Sequence, residues 1–138
     1  MRISVCMATY NGGKHIRELL DSILYQDLSA YPDAEMEIII SDDGSTDATM
    51  SIITQYADKR IKVIQHTPER NHRYYRNLYA ATANFIHALS ETTGEYIFFS
   101  DQDDIWYKDK ISETLNVLTK KEGVCATAFD IIDDEGRN

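Results

Sequence analysis

Short apolar runs alternate with amphipathic segments through most of this chain, and that alternation restricts the fold more than any other feature. Residues 3–8, 37–41, 61–64 and 96–99 read as buried strands, and residues 124–129 as a fifth. Between them, apolar residues recur at helical spacing. Ile16, Leu19, Leu20, Ile23 and Leu24 predict a helix over roughly 14–27. Ser45 and Thr46 stand as N-caps for a helix presenting Ile52, Ile53, Tyr56 and Ala57. Leu78, Ala81, Phe85, Ile86 and Leu89 mark a third helix, with Gly94 where a helix C-terminal glycine often falls. Ile111, Leu115 and Leu118 mark a fourth. Strands alternating with helices imply βαβ units, hence an α/β domain with a mostly parallel sheet covered on both faces.

A parallel sheet gathers ligands at the carboxyl ends of its strands. The loops that leave those ends are Thr9-Tyr10-Asn11, Asp42-Asp43-Gly44-Ser45, a basic stretch from His66 to Arg76, and Asp101-Gln102-Asp103-Asp104. All four are expected on one edge. Three carboxylates within four positions repel one another unless a positive group sits among them. Oxygen ligands of this kind suit Mg²⁺ or Mn²⁺, with Asp101 and Asp103 as the candidates. The competing reading is a solvated acidic turn in which Asp104 caps the next helix.

The Asp42-Asp43-Gly44-Ser45-Thr46-Asp47 segment also carries two readings. One is plain turn and capping chemistry. In the other, a carboxylate accepts from the ring N–H of uracil or thymine, or from a ribose hydroxyl. Tyr10 has the shape to stack on a base, and Thr9 or Asn11 to bond its edge, against a simple turn in which Asn11 starts the helix. Neither the G-x-G-x-x-G fingerprint nor the P-loop is present. His66, Arg70, His72, Arg73 and Arg76 stand out in an otherwise acidic chain. Arg73 and Arg76 are the candidates for diphosphate contacts, against a solvated loop. His15 and His87 fall inside helical patterns and read as structural or exposed. Trp106 and Tyr107 either wall a pocket or pack on the sheet.

The formal net charge is −9 and the pI about 4.8, which argues against a nucleic-acid partner. No apolar stretch is long enough to span a bilayer, and the first residues lack the apolar region of a signal peptide. Cys6 and Cys125, each inside an apolar run, read as buried reduced thiols, which suits the cytoplasm.

Three segments together resemble family 2 glycosyltransferases of the GT-A fold. They are residues 4–11, residues 38–47 and residues 94–104, in that order. The resemblance spans nearly the whole chain and implies that residues 1–138 form the donor-binding part of a GT-A domain. It implies transfer of a hexosyl or deoxyhexosyl group from a UDP- or dTDP-sugar to an acceptor hydroxyl. That transfer would be inverting, metal-dependent, and part of bacterial cell-surface polysaccharide synthesis. Thr9 and one or both of Asp42 and Asp43 would contact the base. Asp101 and Asp103 match the D-x-D motif, with Asp103 on the metal and Asp101 nearer the ribose or metal. The run from Ser100 to Trp106 is similar to that of rhamnosyltransferase-like members.

The third loop departs from the family's Asn-x-Gly pattern, reading Arg70-Asn71-His72-Arg73-Tyr74-Tyr75. Family members also run well past Asn138, so the acceptor site and catalytic base are expected beyond it, and the sheet is expected to be truncated on its C-terminal side. Partners implied are a nucleoside-diphosphate sugar and a glycan or lipid-linked acceptor, with a homodimer left open. The place implied is the cytoplasm or the inner face of the membrane. The rivals are a phosphoacceptor receiver domain, a phosphatase with D-x-D after its first strand, and a non-catalytic sugar-nucleotide-binding domain.

Overall fold

The computed structural model describes residues 1–67, 76–133 and 136–137, and the side chains of residues 76–78 are not described. Eight elements follow in strict alternation: β1 (Arg2–Thr9), α1 (Ile16–Leu24), β2 (Glu35–Asp42), α2 (Thr49–Gln55), β3 (Ile61–Gln65), α3 (Arg76–Ser90), β4 (Tyr96–Ser100) and α4 (Lys110–Leu118). The strands form one sheet in the order β3-β2-β1-β4, and every pairing is parallel. In register, Val5 on β1 lies between Ile38 and Phe98, and Thr9 pairs with Asp42. The four carboxyl ends therefore share one edge.

Alternation along β1 assigns the two faces. Ile3, Val5 and Met7 join Ile38, Ile40 and Phe98 in a core closed by Ile16, Leu19, Leu20 and Ile23 of α1 and by Ile111 and Leu115 of α4. Cys6 and Ile39 point to the other face, where Ala88 and Phe85 of α3 cover them. Full burial of each such aliphatic side chain contributes about 1.5–3 kcal/mol before the entropy of ordering it. Burial also pushes the Cys6 thiol up to about 11, so it stays protonated and inert.

Several expectations need correction. α2 begins at Thr49, not at Ser45 or Thr46; Asp47 Oδ1 accepts from the Thr49 backbone N–H at 3.0 Å. Asp47 thus satisfies the helix start while Ser45 bonds elsewhere. Asp104 does not cap α4, whose N-cap position is Asp109. Gly94 lies beyond the end of α3, and its role is close approach. A Cβ there would fall 2.6 Å from the Ser4 backbone nitrogen, and the Gly94 N–H donates to Ser4 Oγ at 2.8 Å. Residues 124–129 form no strand; Val124 and Phe129 are exposed. This segment lies against side chains instead, with Lys110 Nζ donating to Thr127 Oγ1 at 3.3 Å. An apolar run without a ladder partner leaves its backbone groups to water. Cys125 is half-buried, and both cysteines are free.

Candidate functional site

Asp42 organises the rim. Its carboxylate is buried and accepts four hydrogen bonds. The hydroxyls of Thr9 and Ser45 donate at 3.0 and 2.5 Å, and the backbone N–H groups of Gly44 and Ser45 donate at 3.1 and 2.8 Å. Gly44, at φ 79°, supplies the left-handed turn that this wrapping requires. Sequence reasoning assigns Thr9 and Asp42 to a nucleotide. In the structure both side chains are buried and bonded to each other, so their polar atoms serve the loop.

Asp43 is placed differently. Its backbone N–H donates to the Thr9 carbonyl at 2.9 Å, which aligns the β1 and β2 ends. Its Oδ1 lies 2.8 Å from His66 Nδ1, at the end of β3, and the two side chains are only 11% and 15% exposed. The His66 ring lies 5.2 Å from that of His87, whose Nδ1 is 2.9 Å from the buried Ser41 hydroxyl. His87 is structural, one of the two readings its helical pattern allows, and His66, which opens the basic stretch, joins it in backing the β2 end.

Asn11 sits in the left-handed region at φ 50°, which asparagine tolerates, and this turns the β1 loop toward the β2 loop. Its Oδ1 accepts from the Thr46 N–H at 2.8 Å, and its own N–H donates to Ser45 Oγ at 2.9 Å. Asn11 does not start α1, which begins at Ile16. The Gly13 N–H donates to Asp47 Oδ2 at 2.9 Å. Bonds from Thr49, hydroxyl first and backbone second, hold the Asp47 carboxyl below its ordinary range. Tyr10 leaves its ring 56% exposed above this frame.

Sequence reasoning missed Gln102. Its Oε1 accepts from the Tyr10 N–H at 2.8 Å and its Nε2 donates to the Tyr10 carbonyl at 3.1 Å. The amide therefore pairs with the backbone of the β1 loop much as a neighbouring strand would. Gly12 permits this, because a Cβ there would fall 2.5 Å from Gln102 Oε1. Gln102 stands between Asp101 and Asp103, and the signal was its central place in the acidic motif. Asn84 was also missed: it is buried in α3 and donates through Nδ2 to the Thr9 carbonyl at 3.2 Å.

The acidic loop after β4 contrasts with the β2 loop. Asp101, Asp103 and Asp104 are exposed, and the bond between the Asp101 N–H and Asp104 Oδ2 is long, at 3.4 Å. Burial, then the Asp104 and Asp103 charges, push the Asp101 carboxyl above its ordinary range. Among the described residues no three His, Cys, Asp or Glu side chains converge as a ready metal cage. Crowded, weakly bonded carboxylates of this kind fit a hard divalent cation that takes one or two of them and completes its shell with other oxygens. Asp101 and Asp104 also line a cleft of about 350 Å³ with Ser100, Phe99, Phe85 and Thr82. Trp106 is buried against Phe98, with its backbone N–H donating to the Ser22 hydroxyl, so it belongs to the core; Tyr107 is exposed and bonds Asp130. Arg70, His72 and Arg73 lie outside the described residues; Arg76 opens α3, but its side chain is outside them too.

The sequence profile of Glycosyl transferase family 2 matches residues 4–138. The chain belongs to that family. This family 2 chain is 38% identical over 122 residues to dTDP-rhamnosyl transferase RfbG of Shigella flexneri, covering 86% of itself and 39% of that protein. Its structure resembles that of Staphylococcus aureus TarS 1–349 in complex with UDP, with a TM-score of 0.68 at 30% identity, over 87% of this chain and 32% of that one. It also resembles mannosyltransferase PcManGT from Pyrobaculum calidifontis in complex with GDP-Man and Mn²⁺, with a TM-score of 0.64 at 29% identity, over 85% and 32%. The fold is that of the GT-A glycosyltransferases, and the chain spans about a third of the length of these proteins. Family membership displaces the receiver and phosphatase readings. No helix among the described residues is long and apolar enough to cross a membrane.

Proposed function

We propose that this chain is the donor-binding part of an inverting glycosyltransferase that uses a UDP- or dTDP-sugar and Mg²⁺ or Mn²⁺. The observation that carries the reading is the shared rim, where Asp43 and the Asp101–Asp103 pair leave the two strands that flank β1 at one edge. In this reading Asp43 accepts from the N3–H of the pyrimidine, Tyr10 stacks on the ring, and Asp101 faces the ribose or the cation. Asp103 and Asp101 hold the cation, which neutralises charge on the departing diphosphate. Arg73 and Arg76 meet the diphosphate. Asp42 and Thr9 act behind Asp43 by shaping its loop. The acceptor is a glycan or lipid-linked hydroxyl in cell-surface polysaccharide synthesis, at the cytoplasmic side of the membrane. Polymer-building relatives support that assignment, among them poly(ribitol-phosphate) beta-N-acetylglucosaminyltransferase TarS of S. aureus.

Donor binding, not turnover, is the property to test in a chain of this span. Thermal unfolding is followed with UDP, dTDP, GDP and ADP, each with and without Mn²⁺. A ligand at 100 times its Kd adds about 2.7 kcal/mol, a rise of roughly 10 °C in a domain of this size. UDP or dTDP with Mn²⁺ is expected to give that rise, and Asp103→Ala to abolish the dependence on Mn²⁺. Equal responses to all four nucleotides, or a full response without metal, would falsify the reading.

A further inference from the structure

The His66–Asp43 pair is not explained by the fold alone. Two histidines and a carboxylate are gathered at the β2 and β3 ends with little exposure, although water would solvate each of them well. An ionised carboxylate has no proton to give, so His66 Nδ1 must be the donor across the 2.8 Å contact. That bond anchors Oδ1. Among the described residues Oδ2 accepts no hydrogen bond, so with Oδ1 anchored the carboxylate keeps an unshared oxygen for a ligand. The ring that fixes it is itself backed by His87, which is tied to Ser41.

We infer that His66 is a positioning residue that turns Asp43 into a reader of ring N–H groups, and so sets a preference for uracil or thymine over cytosine. This rests on the proposed reading of Asp43 as the base acceptor. A buried acceptor held in one orientation is satisfied by the N3–H of uracil or thymine. It meets only the N3 lone pair of cytosine, and a polar group left unpaired in this way discriminates strongly. Without His66 the carboxylate rotates toward water or toward neighbouring N–H groups, and the discrimination fades.

The test measures calorimetric affinities of the 138-residue chain for UDP and CDP in Mn²⁺, with unfolding checked for every variant. The unsubstituted chain is expected to favour UDP by about tenfold or more, the scale of one charge-assisted hydrogen bond. His66→Asn keeps a donor near the Nδ1 position and should hold that ratio within about twofold. His66→Gln moves the donor outward, and His66→Ala removes it; both should bring the ratio toward one. A purely structural role would weaken UDP and CDP together and leave the ratio unmoved. Asp43→Asn supplies a sharper arm. With His66 bonded to the amide oxygen, the new amide N–H₂ faces the ligand and the preference inverts toward CDP; in combination with His66→Ala it does not invert. An unchanged ratio in both His66→Gln and His66→Ala overturns the role of His66. An unchanged ratio in Asp43→Asn, or no nucleotide binding by the unsubstituted chain, overturns the underlying reading of Asp43.

Discussion

The loops after β2 and β4 are both short, acidic and anchored to neighbouring strands, yet their carboxylates are in opposite condition. Asp42 accepts four hydrogen bonds, Asp47 is bonded at both oxygens, and Asp43 is paired with His66. Across the rim, Asp101, Asp103 and Asp104 crowd one another, their carboxylates accept one long hydrogen bond among the described residues, and Asp101 is pushed toward its protonated form. Charge count does not distinguish the loops; the supply of N–H and O–H donors does. A carboxylate wrapped by donors has its lone pairs satisfied within the fold, whereas one surrounded by like charge and open to water is left with oxygens that suit a cation.

The comparison breaks first at Asp42. Asp42→Ala removes the buried acceptor shared by two backbone N–H groups and two hydroxyls, and should cost about 3 kcal/mol in urea unfolding, with the response to Mn²⁺ retained wherever the protein is folded. A loss below about 0.5 kcal/mol would mean that the wrapping is incidental. Gln102→Ala comes next. It removes a two-bond clasp on Tyr10 and should cost about 1–2 kcal/mol, while weakening nucleotide affinity more than cation affinity. Equal weakening of both would place Gln102 at the cation instead. The smallest effect is at Asp101. Its folded-state pKa lies above the 3.8 of the free side chain, so the folded protein binds the proton more tightly. In cation-free buffer its contribution is therefore fully present below about pH 3.8 and is lost as pH rises through the raised value. Asp101→Asn should remove that slope, read as the difference in stability between the two proteins from pH 3 to 7; an unchanged slope would sink the crowding argument.

The order and type of the first eight elements were legible because apolar periodicity survives into strands with two buried faces and helices with one stripe. So was the common edge, which follows from parallel pairing alone. Residues 124–129 misled because an apolar run reports burial potential, not the presence of a ladder partner. Gly94 looked like a helix stop, but the constraint on it comes from Ser4, 90 residues away in the chain. The division of labour between Asp42 and Asp43, adjacent and chemically identical, was invisible because it depends on which one meets Thr9 and Ser45 and which meets His66. Gln102 likewise reads as a spacer between two acids until the β1 loop is placed beside it.

That single amide makes the two ends of the rim thermodynamically conversant. Gln102 shares a turn with Asp101 and Asp103, and it holds both the backbone N–H and the carbonyl of Tyr10 on the β1 loop. Ordering the turn from one side stiffens the other, so a divalent ion should tighten nucleoside recognition even for a ligand that carries no phosphate. By linkage, the nucleoside must tighten the ion by the same factor. Uridine titrated with and without Mn²⁺ would reveal the effect, and its disappearance in Gln102→Ala would locate the joint.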